Sequence, residues 1–120
     1  MTQKISLLTL SIAAAGALVA ERFITTAGAY ATAGGHADGV TTTKAATGEL
    51  VATDVLGTTV VTAGGAIAKD AHVQVGSDGK AVTRTTGIAV ARALQAAAAD
   101  GDRIEVLLIP NAPLASGGGG

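Results

Sequence analysis

The chain of 120 residues contains no cysteine, which excludes disulfide staples, thiol nucleophiles and cysteine-ligated zinc together. Tryptophan is also absent, and Phe23 and Tyr30 are the only aromatic residues, so stacking platforms for bases or sugar rings are missing. Charged residues make up only 14% of the chain and the net charge is −1. Lysine and arginine are scattered rather than clustered, so nucleic acid is not an expected partner, because neutralising phosphates takes a basic patch. Long apolar runs are lacking too: Ser6, Thr9, Ser11 and Gly16 interrupt the one candidate, and a membrane span is not expected. Proline occurs only as Pro110 and Pro113.

What is present is a duplication. Gly16-Ala17-Leu18-Val19-Ala20-Glu21-Arg22-Phe23-Ile24 aligns with Gly65-Ala66-Ile67-Ala68-Lys69-Asp70-Ala71-His72-Val73, small residue on small, aliphatic on aliphatic and acid on acid. Gly39-Val40-Thr41 aligns with Gly87-Ile88-Ala89, and Gly48-Glu49-Leu50-Val51 with Gly101-Asp102-Arg103-Ile104. The offsets are 65 − 16 = 49, 87 − 39 = 48 and 101 − 48 = 53, which places the largest insertion between Ala93 and Gly101. Solenoids need roughly three or more units to bury a continuous core, so two copies point to a closed barrel or sandwich with an approximate internal two-fold. The duplication also bears on the amino terminus. Lys4 followed by Ile5 to Ala15 and Leu18-Val19-Ala20 has the form of a secretory signal peptide, but cleavage after Ala20 would cut through a unit that recurs inside the chain.

Local patterning predicts an all-β fold, a small β-barrel or sandwich built from two tandem copies of a β-rich unit, with one or two short helical turns. Arg103 to Ile109 alternates with period two, His72 to Val75 does likewise, and Thr58 to Thr62 does so more loosely. Turn signals separate them: Gly28, Gly34-Gly35, Asp38-Gly39, Gly57, Gly64-Gly65, Ser77-Asp78-Gly79 and Asp100-Gly101-Asp102. Ala17 to Glu21 and Ala66 to Asp70 read as single helical turns. Gly87 to Ala93 reads as a strand, and the alanine-rich stretch to Ala99 as an enlarged loop with room for one helical turn. The expected organisation is an amino-terminal arm or first strand over 1–12, a duplicated β domain over 13–110 and a flexible tail over 111–120. Nearly half the residues are apolar, but they are mostly Ala, Val, Leu and Ile. Such a chain is marginal alone and is expected to bury further surface against copies of itself or a partner.

No residues are nominated for catalysis, metal or cofactor binding. His36 lies in a glycine-rich turn, while His72 sits at an outward strand position whose counterpart is Phe23, so the duplication does not bring the histidines together. Asp100-Gly101-Asp102 lacks the remainder of a calcium loop. Glu21, Glu49 and Glu105 are turn-adjacent or solvent-facing, so no carboxylate pair stands out. No serine has a Gly-x-Ser-x-Gly frame, and Gly79-Lys80 lacks the phosphate-loop spacing. What remains is contact chemistry: Ile5 to Ile12 is charge-free and β-prone, the kind of strand that must pair or be covered. Lys4, Ile5, Leu7 and Leu8 in this arm, and Leu94 and Gln95 in the enlarged loop, are the candidate contact residues.

The order of these elements, from the β-prone start through Ala15-Gly16-Ala17-Leu18-Val19-Ala20-Glu21-Arg22-Phe23-Ile24, Gly35-His36-Ala37-Asp38-Gly39-Val40, Gly48-Glu49-Leu50-Val51, Ala63-Gly64-Gly65-Ala66-Ile67, Gly79-Lys80-Ala81-Val82, Thr86-Gly87-Ile88-Ala89 and Asp100-Gly101-Asp102-Arg103-Ile104-Glu105-Val106, resembles the capsid cement, or head decoration, proteins of tailed bacteriophages. The resemblance covers roughly Ile5 to Pro110. It implies a small β-barrel-like subunit, made in the host cytoplasm, that binds the outer surface of the virion head, often as a trimer, and bridges neighbouring major capsid proteins against internal DNA pressure. It implies no catalytic residue and no cofactor. Two other readings of the sequence stand beside it: a secreted or surface-layer β adhesion module with a signal peptide, and a small oligomeric β-barrel enzyme whose site forms between subunits.

Overall fold

The computed structural model describes residues 5–109. Eight strands follow one another: β1 (Ser6–Ala13), β2 (Phe23–Ile24), β3 (Gly39–Thr41), β4 (Leu50–Thr62), β5 (His72–Val75), β6 (Ala81–Thr83), β7 (Ala91–Ala93) and β8 (Arg103–Leu108). All pairings between these strands are antiparallel, in the order β2-β3-β4-β8-β7-β5-β6, with β1 added along the first half of β4, and one isolated bridge, Ala63 to Ala81, is parallel. The sheet curls into a nearly closed barrel shape. Closure is local in each half: the Ala15 N–H donates to the Gly28 carbonyl at 2.9 Å, and the Gly64 N–H to the Ala81 carbonyl at 2.7 Å.

The duplication runs further than the aligned sequence segments. β4, 13 residues long, belongs to both copies: its first half is the last strand of the first copy, and its second half is the first strand of the second. β1 pairs with the first half, Thr9 to Asp54 through Ala13 to Leu50, just as the second half pairs with β8, Thr58 to Leu107 through Thr62 to Arg103. Packing repeats as well. The smaller core cluster of Ile12, Ala14, Leu18, Ile24, Ala45 and Val51 maps one for one onto Val61, Ala63, Ile67, Val73, Ala97 and Ile104 in the larger one. Turn chemistry repeats too. Glu21 and Asp70 share left-handed φ values of 65° and 71°, and the Glu49 and Asp102 carboxylates each accept a backbone N–H, from Ala46 and Ala98, at 2.7 Å.

Several expectations are corrected by the register. β2 pairs Phe23 with Val40 and β5 pairs His72 with Arg92, so β3 corresponds to β7 and not to Gly87-Ile88-Ala89. The connection from Ala93 to Gly101 is then hardly enlarged, at 101 − 93 = 8 against 48 − 41 = 7 in the first copy. The segment before Ala91 is not strand because the Gln74 side-chain oxygen accepts the N–H groups of Thr85 and Gly87 at 2.9 Å each and holds it as a loop. The alanine run has no helical turn: Ala97 exchanges two backbone hydrogen bonds with Ile67, and Asp102 takes the N–H groups of Ala98 and Ala99, so tertiary pairing overrides helix propensity. The short 3-10 turn falls on Ser77–Gly79. It does not fall on Ala17 to Glu21 or Ala66 to Asp70, where left-handed Glu21 and Asp70 end any right-handed helix.

Candidate interaction surface

β1 is paired along one edge and covered on neither face for most of its length. From Thr9 onward its side chains alternate: Leu10 and Ile12 lie across from Thr53 and Val51, while Thr9, Ser11 and Ala13 lie across from Asp54, Ala52 and Leu50. Only Ile12 is buried within the strand. The rest form, with the first half of β4, a ribbon on which Val51 is buried but six other apolar side chains face solvent: Ile5 is 59% exposed, Leu7 69% and Leu50 71%, with Leu8, Leu10 and Leu56 about half exposed. Among the described residues no strand pairs with the outer edge of β1. An open edge beside exposed leucines is a feature that soluble monomers ordinarily cover or charge.

Two devices hold the ribbon in place. The buried Asp54 carboxylate accepts the Thr9 hydroxyl at 3.0 Å and the Thr59 hydroxyl at 2.8 Å, tying β1 to the second half of β4. Gly57, at φ 100°, marks the bulge where β1 begins against β4, and the Thr58 N–H there donates to the Ile5 carbonyl at 2.9 Å. A β-carbon on Gly57 would stand 2.3 Å from the Ile5 carbonyl oxygen and 2.9 Å from the Leu7 nitrogen. Gly57→Val is therefore expected to detach residues 5–8 at a global cost of only about 1–3 kcal/mol, because little is buried there. Amide exchange at Thr58 should accelerate while the β5, β7 and β8 amides stay protected; unchanged protection at Thr58 would contradict this account.

The candidate contact residues separate into two places. Ile5, Leu7 and Leu8 lie on the ribbon, and Lys4 is outside the described residues. Leu94 and Gln95 are half-buried beside β8, where the Leu94 N–H donates to the Glu105 carbonyl and the Gln95 side-chain oxygen accepts the Glu105 N–H, at 2.9 and 2.8 Å. Leu50 and Leu56 were not among the candidates. Their place on the ribbon follows from pairing Ala13 with Leu50 and Leu8 with Leu56, which alternation alone does not reveal.

Elsewhere two close ion pairs join separate elements of the fold. The Glu21 carboxylate accepts from the Arg103 guanidinium at 2.6 Å; that hydrogen bond, with the carboxylate charge, holds the guanidinium above its ordinary value. Lys80 pairs with Asp100 at 2.9 Å. A cleft of about 230 Å³ is lined by Phe23, Asp38, Val55, Val90, Leu108 and Ile109, with Asp38 as its one charged wall residue, and a smaller one by Glu21, Thr41, Thr42, Thr59 and Val60. Neither cleft gathers the nucleophile, base and orienting group that acyl or phosphoryl transfer requires. Among the described residues no three His, Asp or Glu side chains are grouped to hold a metal ion.

A family model described as phage cement protein matches residues 2–108, nearly the whole described chain. The chain belongs to the phage cement protein family. Membership supports a structural role at the phage capsid. Among solved structures, the fold is similar to that of the head fiber gp8.5 N base in bacteriophage phi29, with a TM-score of 0.68 at 20% identity over 85% of this chain and 93% of that one. No curated protein matches. The phi29 likeness is one of fold, and it matches the all-β architecture expected from the sequence.

Proposed function

We propose that this cement-family protein binds the outer surface of a tailed-phage head as an oligomer, a trimer in the simplest case, and cements neighbouring major capsid proteins through the tip of the β1–β4 ribbon. The observation that carries this reading is the row of exposed Ile5, Leu7, Leu8 and Leu56 beside an unpaired strand edge. Such an edge can add to a strand or loop of the capsid protein: backbone hydrogen bonds supply affinity, and the leucines, worth roughly 1.5–3 kcal/mol each when fully buried, supply most of the gain. Many weak contacts on one shell act together, so modest affinity per subunit gives firm occupancy.

Deleting residues 2–8 leaves both core clusters intact and removes the tip. Occupancy on purified heads, measured by quantitative gel after co-sedimentation, should fall by about tenfold or more, the loss expected for each ~1.4 kcal/mol removed. Unchanged occupancy would sink the proposal. Heads carrying the deleted protein should also burst at lower temperature than heads carrying the intact chain.

A further inference from the structure

The two copies meet in a way that is not reciprocated within the chain. In the first copy Glu21, Arg22 and Phe23 dock onto the second. The Thr62 N–H donates to the Glu21 carbonyl at 2.9 Å, the Glu21 carboxylate holds Arg103, the Arg22 guanidinium donates to the Asp78 carbonyl at 3.0 Å, and Phe23 enters the larger core cluster. Thr41 and Thr42 line a cleft with Thr59 and Val60 at the same junction. The register fixes the counterparts. Glu21, Arg22 and Phe23 correspond to Asp70, Ala71 and His72, and Thr42 to Leu94. On the receiving face Val60, Thr62, Arg103 and Glu105 correspond to Ser11, Ala13, Leu50 and Ala52.

Most of those counterparts stand open. Val60 and Thr62 are half-buried against the first copy and Glu105 is half-buried beside Gln95, whereas Ser11, Ala13, Leu50 and Ala52 are exposed, as are Asp70 and His72; Ala71 and Leu94 are half-buried. An interface whose donor half and acceptor half lie on different surfaces is heterologous, and it must either close into a ring or propagate. We infer that a second copy of this chain completes it: the corner formed by Asp70, His72 and Leu94 of one protomer seats on the Ser11, Ala13 and Leu50 face of the next, repeating between chains the contact that joins the two halves within one. The inference concerns self-association and stands whether or not the ribbon tip binds capsid. It also divides the ribbon, assigning its base to the neighbouring protomer and leaving its tip free.

Charge gives the first test. Arg103 faces Glu21 inside the chain, and Leu50 occupies the position of Arg103 opposite a neighbour's Asp70. Leu50→Arg should therefore keep self-association within about threefold of wild type or tighten it, and adding Asp70→Asn should remove any gain; Leu50→Glu should weaken it by about tenfold or more through like charge. Analytical ultracentrifugation of the purified chain reads all four proteins. Equal disruption by Arg and Glu would overturn the pairing. The second test uses the absence of native cysteine. Ser11→Cys mixed with Leu94→Cys and treated with a short bismaleimide should give covalent dimers, the double variant should give closed higher oligomers, and neither single variant alone should cross-link. Cross-linking of a single variant would mean a two-fold contact, and no mixed product either in solution or on heads would mean that the surfaces do not meet; each result overturns the inference. Circular dichroism on every variant separates lost association from lost fold. A chain that associates as inferred but fails to bind heads would overturn only the capsid proposal.

Discussion

Phe23→Ala is expected to lower stability by about 3–5 kcal/mol, the cost of emptying a fully buried aromatic site. The side chain is completely enclosed, is one of only two aromatics, and joins a core otherwise built from alanine, valine and isoleucine. Small neighbours have few rotamers with which to fill the space, so the cavity should remain. A loss of that size is a large part of the ~5–15 kcal/mol that holds a domain of this class together. Urea denaturation should show a lower midpoint at unchanged slope, with the melting temperature reduced by about 10 °C or more. His72 occupies the same position in the second copy but is exposed. His72→Ala, measured at dilution where protomers are separate, should stay within about 0.5 kcal/mol of wild type. Similar losses for the two variants would mean that Phe23 is not the link between the halves.

That contrast also shows where the sequence stops being readable. The duplication was visible because its turns need particular backbones: Gly48 and Gly101 adopt φ 87° and 97°, Glu21 and Asp70 share the left-handed region, and small residues flank each turn. Strand alternation over Arg103 to Leu108 and His72 to Val75 was equally plain. The continuity of β4 was not, because Gly57 permits either a chain reversal or a bulge, and only pairing with β1 and β8 decides for the bulge. The copies also hid their first strands. Thr9 to Ala13 and Thr58 to Thr62 share their place in the fold but little identity, since one is solvent-facing and the other partly covered. Burial of Phe23 and exposure of His72 depend on which copy has a neighbour inside the chain, a property of the assembled halves. Ile5, Leu7 and Leu8 were legible as a charge-free run, whereas Leu50 read as an ordinary member of the repeat until register placed it beside Ala13.

Gly28→Ala should cost nearly as much as the loss of Phe23 while adding only one carbon. Gly28 has φ 83°, and a β-carbon there would lie 2.0 Å from the Ala13 carbonyl oxygen and 2.8 Å from the Ala15 nitrogen. The left-handed backbone alone costs an alanine about 1–2 kcal/mol. The clash is backbone against side chain at a point where no rotamer change helps, so the Ala15 N–H to Gly28 carbonyl bond at 2.9 Å must open, adding about 1–3 kcal/mol for the uncompensated groups. Gly48 separates the two contributions. It has a similar φ of 87° with nothing within 4 Å of its would-be β-carbon, so Gly48→Ala should show the conformational cost alone. A difference of about 2 kcal/mol between the variants in urea is the expected result, and equal losses would refute the packing argument. The same bond anchors the base of β1 to the barrel, whereas at Gly48, whose N–H donates to the Ala14 carbonyl at 2.8 Å, an added β-carbon meets nothing and leaves that bond made. Below its melting temperature the Gly28 variant should therefore lose ribbon protection in amide exchange, and with it occupancy on heads, while the Gly48 variant retains more of both.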